Sequence, residues 1–290
     1  MTFVPRLLRG IPGLRLKRLV WSLVRRREFA YSTTTPRGWH ITGHTRDWIQ
    51  RNLYYFGLWE PNLSAWIESR LSPGDVFIDV GANIGYFTLL AANRVGPSGA
   101  VVAVEAMPAI FQHLASHVAA NGLSNTRLIN EAAVGPDDPH EVLLYWGGAG
   151  NIGSSGMLRQ ATQSESVKVP ARTLAQMLTA EDCRRARLIK VDVEGVEGRT
   201  IRGLGLERGG FNERLELIVE ISADAAAGTD PEDLLRYFAG LGYWPYELRE
   251  DHYFHRYAYP ASAVTRPQRV RQPLTGVHNV IFSKIDADAL

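Results

Sequence analysis

In the stretch Asp79-Val-Gly81-Ala-Asn83-Ile-Gly85, residues suited to ligand handling recur at every second position. The apolar run Val76–Val80, broken only by Asp79, suits a strand buried on both faces, and Tyr86 to Asn93 reads as a helix. A strand, a glycine turn and a helix start bring backbone N–H groups and a positive helix end to one point, where a nucleotide-like ligand can sit. Glycine allows close approach because it lacks Cβ and tolerates positive φ. Glu105 ends the next apolar run, Ala100–Val104, where a carboxylate can accept hydrogen bonds from both hydroxyls of a ribose. Asp192 and Glu194 stand at the end of a third run, Leu188–Val193. Either can take a proton from a weak nucleophile.

The spacing narrows the ligand. A dinucleotide turn carries G-x-G-x-x-G, whereas this one has Asn83 in its middle and a carboxylate before it. Asp79 would repel a pyrophosphate and suits a cationic amino-acid group. A ribose, an ammonium and no pyrophosphate together describe S-adenosylmethionine (SAM). By position, Glu131 and Ala132, at the end of a third strand (Thr126 to Asn130), can meet the adenine edge.

The stretch Asp79 to Thr88 resembles the opening SAM-binding motif of class I methyltransferases, and more narrowly that of the FkbM family. Leu188-Ile-Lys-Val-Asp-Val-Glu-Gly-Val-Glu197 resembles that family's other signature. Gly57-Leu-Trp-Glu-Pro61 and Glu131-Ala-Ala-Val-Gly135 are lesser echoes, and the likeness runs over about residues 55–285. The resemblance implies a Rossmann-like α/β fold with a mostly parallel seven-stranded sheet, helices on both faces and an antiparallel closing strand. It also implies O-methylation of a sugar, glycolipid or polyketide-type acceptor. Asp192 is then the first choice for general base and Glu194 the second; Asp79, Gly81, Asn83, Gly85, Glu105, Glu131 and Ala132 hold the cofactor. Methyltransferases acting on amino groups of bases commonly carry Asn/Asp-Pro-Pro-aromatic after the fourth strand; Asp192-Val-Glu-Gly195 departs from it.

Two other readings stay open. A nicotinamide-dependent oxidoreductase is disfavoured by the missing third glycine. An idle Rossmann-like module binding a membrane surface or a partner is disfavoured by the intact acidic residues. Asp192, Glu194 and Glu220 offer oxygen ligands that suit Mg²⁺, though nothing in their spacing requires a metal. His252 and His255 lack a third soft ligand, so no zinc site is expected; with Tyr253 and Trp244 they can line an acceptor pocket.

At 290 residues the chain can bury a full core, and its single cysteine, Cys183, excludes an internal disulfide. Residues 61–290 read as the methyltransferase domain and residues 1–60 as a basic amphipathic helix with an aromatic extension or lid. The first 30 residues hold eight basic side chains and one acidic, leaving 24 basic against 29 acidic in the remainder. A mildly acidic body gives no basic face for nucleic acid. Leu14 to Arg27 reads as a helix with Leu16, Leu19, Val20 and Leu23 on one face. That helix can pack on the domain, touch anionic membrane or stay mobile. With no leader or span in the sequence, a cytoplasmic location is expected, with contact at the inner membrane face through residues 14–27 as an option. The glycine-rich segment 147–163 and the insert 250–273 are candidate acceptor loops, and oligomeric state leaves no mark.

Overall fold

The computed structural model describes residues 14–146, 156–157, 165–222, 230–250, 257 and 265–290. The chain enters through α1 (Leu14–Val24) and a hairpin of β1 (Ala30–Thr34) and β2 (His40–His44). Helices α2 (Trp48–Phe56) and α3 (Pro61–Arg70) follow. Asp47 caps α2 by accepting from the Gln50 N–H at 2.9 Å, and Pro61 opens α3, where its missing N–H costs nothing.

The alternating part begins at β3 (Val76–Val80), α4 (Tyr86–Val95), β4 (Ala100–Val104), α5 (Pro108–Ala120) and β5 (Thr126–Ile129). A side sheet of β6 (Ala132–Val134), β7 (Glu141–Trp146) and β8 (Glu165–Thr173) interrupts it. Short helices α6 (Leu174–Met177) and α7 (Ala180–Arg185) lead to β9 (Ala186–Val191), α8 (Glu197–Arg202) and β10 (Glu216–Ser222). Then come α9 (Pro231–Gly240), β11 (Trp244–Leu248), β12 (Gln268–Arg269) and β13 (Val277–Ser283).

The main sheet runs β5-β4-β3-β9-β10-β13-β11-β12. Strands β5 to β10 are mutually parallel, and β13 lies antiparallel between β10 and β11. This is the expected seven-stranded order with β12, a two-residue edge strand within the predicted insert, as an eighth member. The order switches between β3 and β9, so ligands are directed to the crevice at the carboxyl ends of those two strands.

Alternation along the strands sorts the core into two layers. Phe77, Leu188, Ile218 and Ile281 face the layer holding α1 to α4, whereas Val76, Ile78, Ile189, Val191 and Phe282 face the other. Asp79 and Lys190 are partners in register and lie on the first of these faces. At the amino end of the sheet Glu216 is clamped by Arg70 (2.5 and 2.9 Å), Arg187 (2.8 Å) and Ser283 (2.8 Å). Those cations hold its carboxyl below the usual range against the opposing effect of burial.

Residues 14–60 share the apolar core of the sheet: Trp21, Tyr31, Trp39, Tyr54, Tyr55 and Phe56 are buried in one cluster with Phe77 and Leu90. Of the alternatives open for the first helix, packing on the domain is realised, but not through its leucines. Lys17, Trp21 and Val24 turn inward, and Leu16, Leu19 and Leu23 face solvent. Aromatic bulk decides this, since the Trp21 indole fits against the Tyr55 and Phe56 rings, both at 5.2 Å. No helix among the described residues is long and apolar enough to cross a membrane.

Candidate active site

The glycine turn is shaped by the approach of two strand ends. Gly81 adopts φ +79°, and a Cβ there would lie 1.8 Å from the Asp192 carbonyl oxygen. The Asp192 N–H donates to the Val80 carbonyl at 3.0 Å, which draws the end of β9 onto the turn. Gly85 caps α4 at φ +91°, and Asn83, at φ +51°, is the non-glycine residue of the turn in the left-handed region.

Every backbone N–H from Gly81 to Gly85 is already used. Gly81 and Ala82 donate to the Val104 carbonyl (2.9 and 3.0 Å), and Gly85 donates to the Ala82 carbonyl (2.9 Å). Asn83 donates to Glu105 Oε2 (2.9 Å), and Ile84 to the Asn83 side-chain oxygen (2.7 Å). The turn is therefore no nest for a phosphate, contrary to the expectation that its N–H groups would face the ligand. The cavity beside it is lined instead by the carboxylates Glu105, Asp192 and Glu194, which suit cationic and hydroxyl groups.

Glu105 follows β4 at the cavity wall, 8% exposed, with its other oxygen accepting from the Met107 N–H at 2.8 Å. Burial pushes its carboxyl up to about 7, beyond what these backbone donors recover, and the nearby Asp79 and Asp192 add to the rise.

One cavity at the carboxyl ends of the strands gathers Gly81, Asn83, Glu105, Glu131, Ala132, Asp192 and Glu194. Two of the anticipated residues stand outside its lining. Gly85 shapes the helix start, and Asp79 lies beneath the floor, fully buried. Asp79 Oδ2 accepts from the Thr88 hydroxyl at 2.6 Å, while its Oδ1 has no hydrogen-bond partner. Burial raises its carboxyl, with Lys190 and Thr88 opposing. The Glu131 carboxylate is held by Arg172 through both oxygens, the longer contact at 2.8 Å, which leaves the adjoining backbone and Ala132 to form the wall.

A group of carboxylates surrounds Lys190. Its Nζ donates to Asp192 Oδ2 at 2.7 Å and lies 5.1 Å from the centre of the Phe87 ring. Burial would discharge this lysine, yet Asp192, Asp79 and Glu60 together raise its pKa. Glu60, in a left-handed conformation before Pro61, is 7% exposed and lines the cavity. Its carboxyl is pushed up to about 7 by burial, with Lys190 opposing and Asp192 reinforcing. Glu194 also sits at positive φ, +55°, and is an exposed residue that contributes to the cavity lining. The protein packed around it, then the charges of Asp192 and Glu197, push it up to about 7. Glu220 is raised by the Asp192 charge and by burial. Among the described residues no group of three or more His, Cys, Asp or Glu is arranged to hold a metal ion.

Glu60 is a site residue that the motif reading did not assign, whereas Lys190, inside an apolar strand, reads from the sequence as the structural partner of a buried carboxylate, as its contact with Asp192 and its register with Asp79 bear out. The Glu-Pro pair after Trp59 was the available signal for Glu60. For Lys190 it was the parity with Asp79, since a lysine inside an apolar strand demands a buried counter-charge. Trp59, Ile110, Leu144 and Met157 supply apolar wall. Trp244 instead lies off this cavity, on the edge of the sheet, stacked on Arg269 at 3.9 Å. His252, Tyr253 and His255 fall outside the described residues, as does most of segment 147–163.

A Rossmann-like sheet in the order above, with an acid after the second strand and a carboxylate turn after the fourth, is the class I methyltransferase architecture. Residues 79–244 match the family described as "Methyltransferase FkbM domain", and the chain belongs to that family. It is 27% identical over 150 residues to "Methyltransferase 1" of Beauveria bassiana (strain ARSEF 2860), covering 46% of this chain. The match spans 59% of that relative's length. Among solved structures it is similar to the FkbM methyltransferase of Methylobacillus flagellatus KT, at 14% identity and TM-score 0.43, over 80% of this chain and 52% of the other. A putative rRNA-methylase of Clostridium thermocellum is similar at 13% identity and TM-score 0.45, over 77% and 94% of the two chains.

Proposed function

We propose that the protein binds SAM in this cavity and methylates a hydroxyl of a sugar, glycolipid or polyketide-type acceptor. The observation carrying this reading is the convergence on one cavity of a ribose-type carboxylate, Glu105, with the carboxylates Asp192 and Glu194. The residues present fit the cofactor. Glu105 retains acceptor capacity for ribose hydroxyls, Ala132 and Ile110 give apolar wall for a flat base, and Asp192, beside the Gly81 turn, offers a carboxylate to an ammonium. A dinucleotide does not fit, because the turn leaves no free N–H for its phosphates.

Bound there, SAM supplies an electrophilic methyl group on positively charged sulfur. This chain's residues orient the acceptor and receive its proton. Glu194, with a carboxyl near neutrality and open to the cavity, is placed to accept a proton from an acceptor hydroxyl. Asp192, tied to Lys190, is fixed in direction and orients the acceptor or the cofactor's cationic part. Glu220, with its proton held tightly, can donate a hydrogen bond to an acceptor oxygen.

Calorimetric titration of the purified chain with SAM, alongside Glu105→Ala and Asp79→Ala, tests the cofactor. Micromolar binding is expected, with at least a tenfold loss in Glu105→Ala. Silence toward SAM in a folded wild-type chain would refute the reading. Transfer of labelled methyl to a panel of hydroxylated acceptors, abolished in Glu194→Gln with SAM affinity kept, tests the proton acceptor.

A further inference from the structure

Helix α1 is tied down on one face and open on the other. Trp21 and Val24 are in the core, and the Tyr55 hydroxyl donates to the Val24 carbonyl at 3.1 Å, which fixes the rotation of the helix. The opposite stripe is Leu16, Leu19 and Leu23, which are 49%, 58% and 68% exposed. Their spacing of three and four residues places them on one side of two helical turns.

Arginines border the stripe. Arg15, Arg18, Arg25 and Arg26 are exposed, and among the described residues no ion pair joins any of them to a carboxylate. Glu28, the acidic residue just beyond the helix, is engaged by Arg46 at 2.9 Å. An exposed tryptophan extends the patch: Arg51 donates to the Arg25 carbonyl at 3.0 Å and lies 5.0 Å from the Trp48 ring centre. Leucines that reach an acyl boundary, guanidinium groups at phosphate level and an indole at the interface make the pattern of a helix lying in a bilayer surface.

We propose that the exposed face of α1, with Trp48 beside it, docks the protein on an anionic lipid bilayer. Charge selects this occupant. A second copy meeting through the same patch would bring the four arginines of each chain together without a counter-charge. A zwitterionic bilayer would accept the leucines and give the arginines little. The proposal stands independently of the methyl-transfer reading.

The experiment is co-sedimentation of the full chain with sucrose-loaded phosphatidylcholine vesicles, with and without phosphatidylglycerol, at low and high salt. Three proteins are compared: wild type, Leu19→Glu/Leu23→Glu and Arg15→Gln/Arg18→Gln/Arg25→Gln. Wild type is expected to sediment with the phosphatidylglycerol vesicles and to be released by salt. The arginine variant should bind about a hundredfold more weakly, and the leucine variant at least about tenfold more weakly. All substituted side chains are exposed, so wild-type melting temperatures are expected and exclude misfolding. Absence of binding by wild type would overturn the proposal. So would binding untouched by the leucine changes, which would mean adsorption of surface anions alone. A dimer in sedimentation velocity that the leucine changes abolish, without vesicle binding, would assign the face to a second copy.

Discussion

Replacing Gly81 with alanine tests how the site is assembled. The new Cβ would stand 1.8 Å from the Asp192 carbonyl oxygen, where carbon–oxygen contacts begin near about 3.3 Å. Asp192 O is backbone, so no side chain can swing aside, and the ends of β3 and β9 must separate by about 1.5 Å. That stretches the Asp192 N–H to Val80 O bond beyond its 3.0 Å. Leaving those groups unpaired costs about 1–3 kcal/mol, and positive φ adds about 1–2 kcal/mol for a residue with Cβ. A loss of roughly 2–5 kcal/mol leaves a chain of this size folded at 25 °C but lowers its melting temperature by about 3–8 °C. Because Asp192 moves with the strand end, SAM affinity should fall more than tenfold even where the protein is fully native. Gly85→Ala is the control: its Cβ meets the end of the Leu114 side chain at 2.6 Å, which can rotate away, so φ strain dominates. Urea melts and calorimetry on both variants read the two effects separately. A Gly81→Ala chain with wild-type stability and SAM affinity would refute the reasoning.

The pH dependence of stability has a definite sign. Glu60 and Glu105 bind protons more tightly when folded, up to about 7, than the ordinary 4.5. Their contribution is therefore most favourable at low pH and declines as pH rises from about 4.5 to about 7, by at most about 3 kcal/mol each. Glu216 is shifted the other way, so its contribution is lost as pH falls below its ordinary value. Melting temperature without ligand should thus be higher near pH 5.5 than at pH 8, and Glu60→Gln should flatten the slope; an unchanged slope would contradict the assignment. Lys190→Met removes the cation shared by Asp79, Asp192 and Glu60. It should cost about 3–5 kcal/mol, read by urea denaturation, with Asp79→Asn in the same chain restoring part of the loss; no recovery would show that Lys190 acts elsewhere.

Much of this architecture was legible before any coordinates. The alternation of apolar runs with helical spacing set the strands β3, β4, β9 and β10 within a residue or two, because burial on both faces leaves little sequence freedom; the half-exposed edge strand β5 fell within the same margin. The turn and the two acidic strand ends were readable for the same reason: chemistry there depends on residue type and on local backbone shape. The rotation of α1 was not legible. Leu16, Leu19, Val20 and Leu23 share one face whose partner the sequence left open, and Trp21, matched to the Tyr55 and Phe56 rings, turns the three leucines to solvent while Val20 stays against the core. The place of Asp79 was not legible from local reasoning either. Strand parity turns it toward Thr88 and Lys190, beneath the cavity rather than into it.

What the sequence alone determined are the properties carried by neighbours along the chain: element type, turn geometry, the carboxylate after the second strand and the family signatures. What only the tertiary structure decided is which distant groups share one low-dielectric volume. Glu60, the pair Asp192 and Glu194, and Glu220 come from three separate segments around Lys190. Their proton affinities arise from that convergence, because desolvation and mutual charge depend on distances in space. The same holds for the exposed leucines, whose meaning is set by the ring that occupies the other side of their helix.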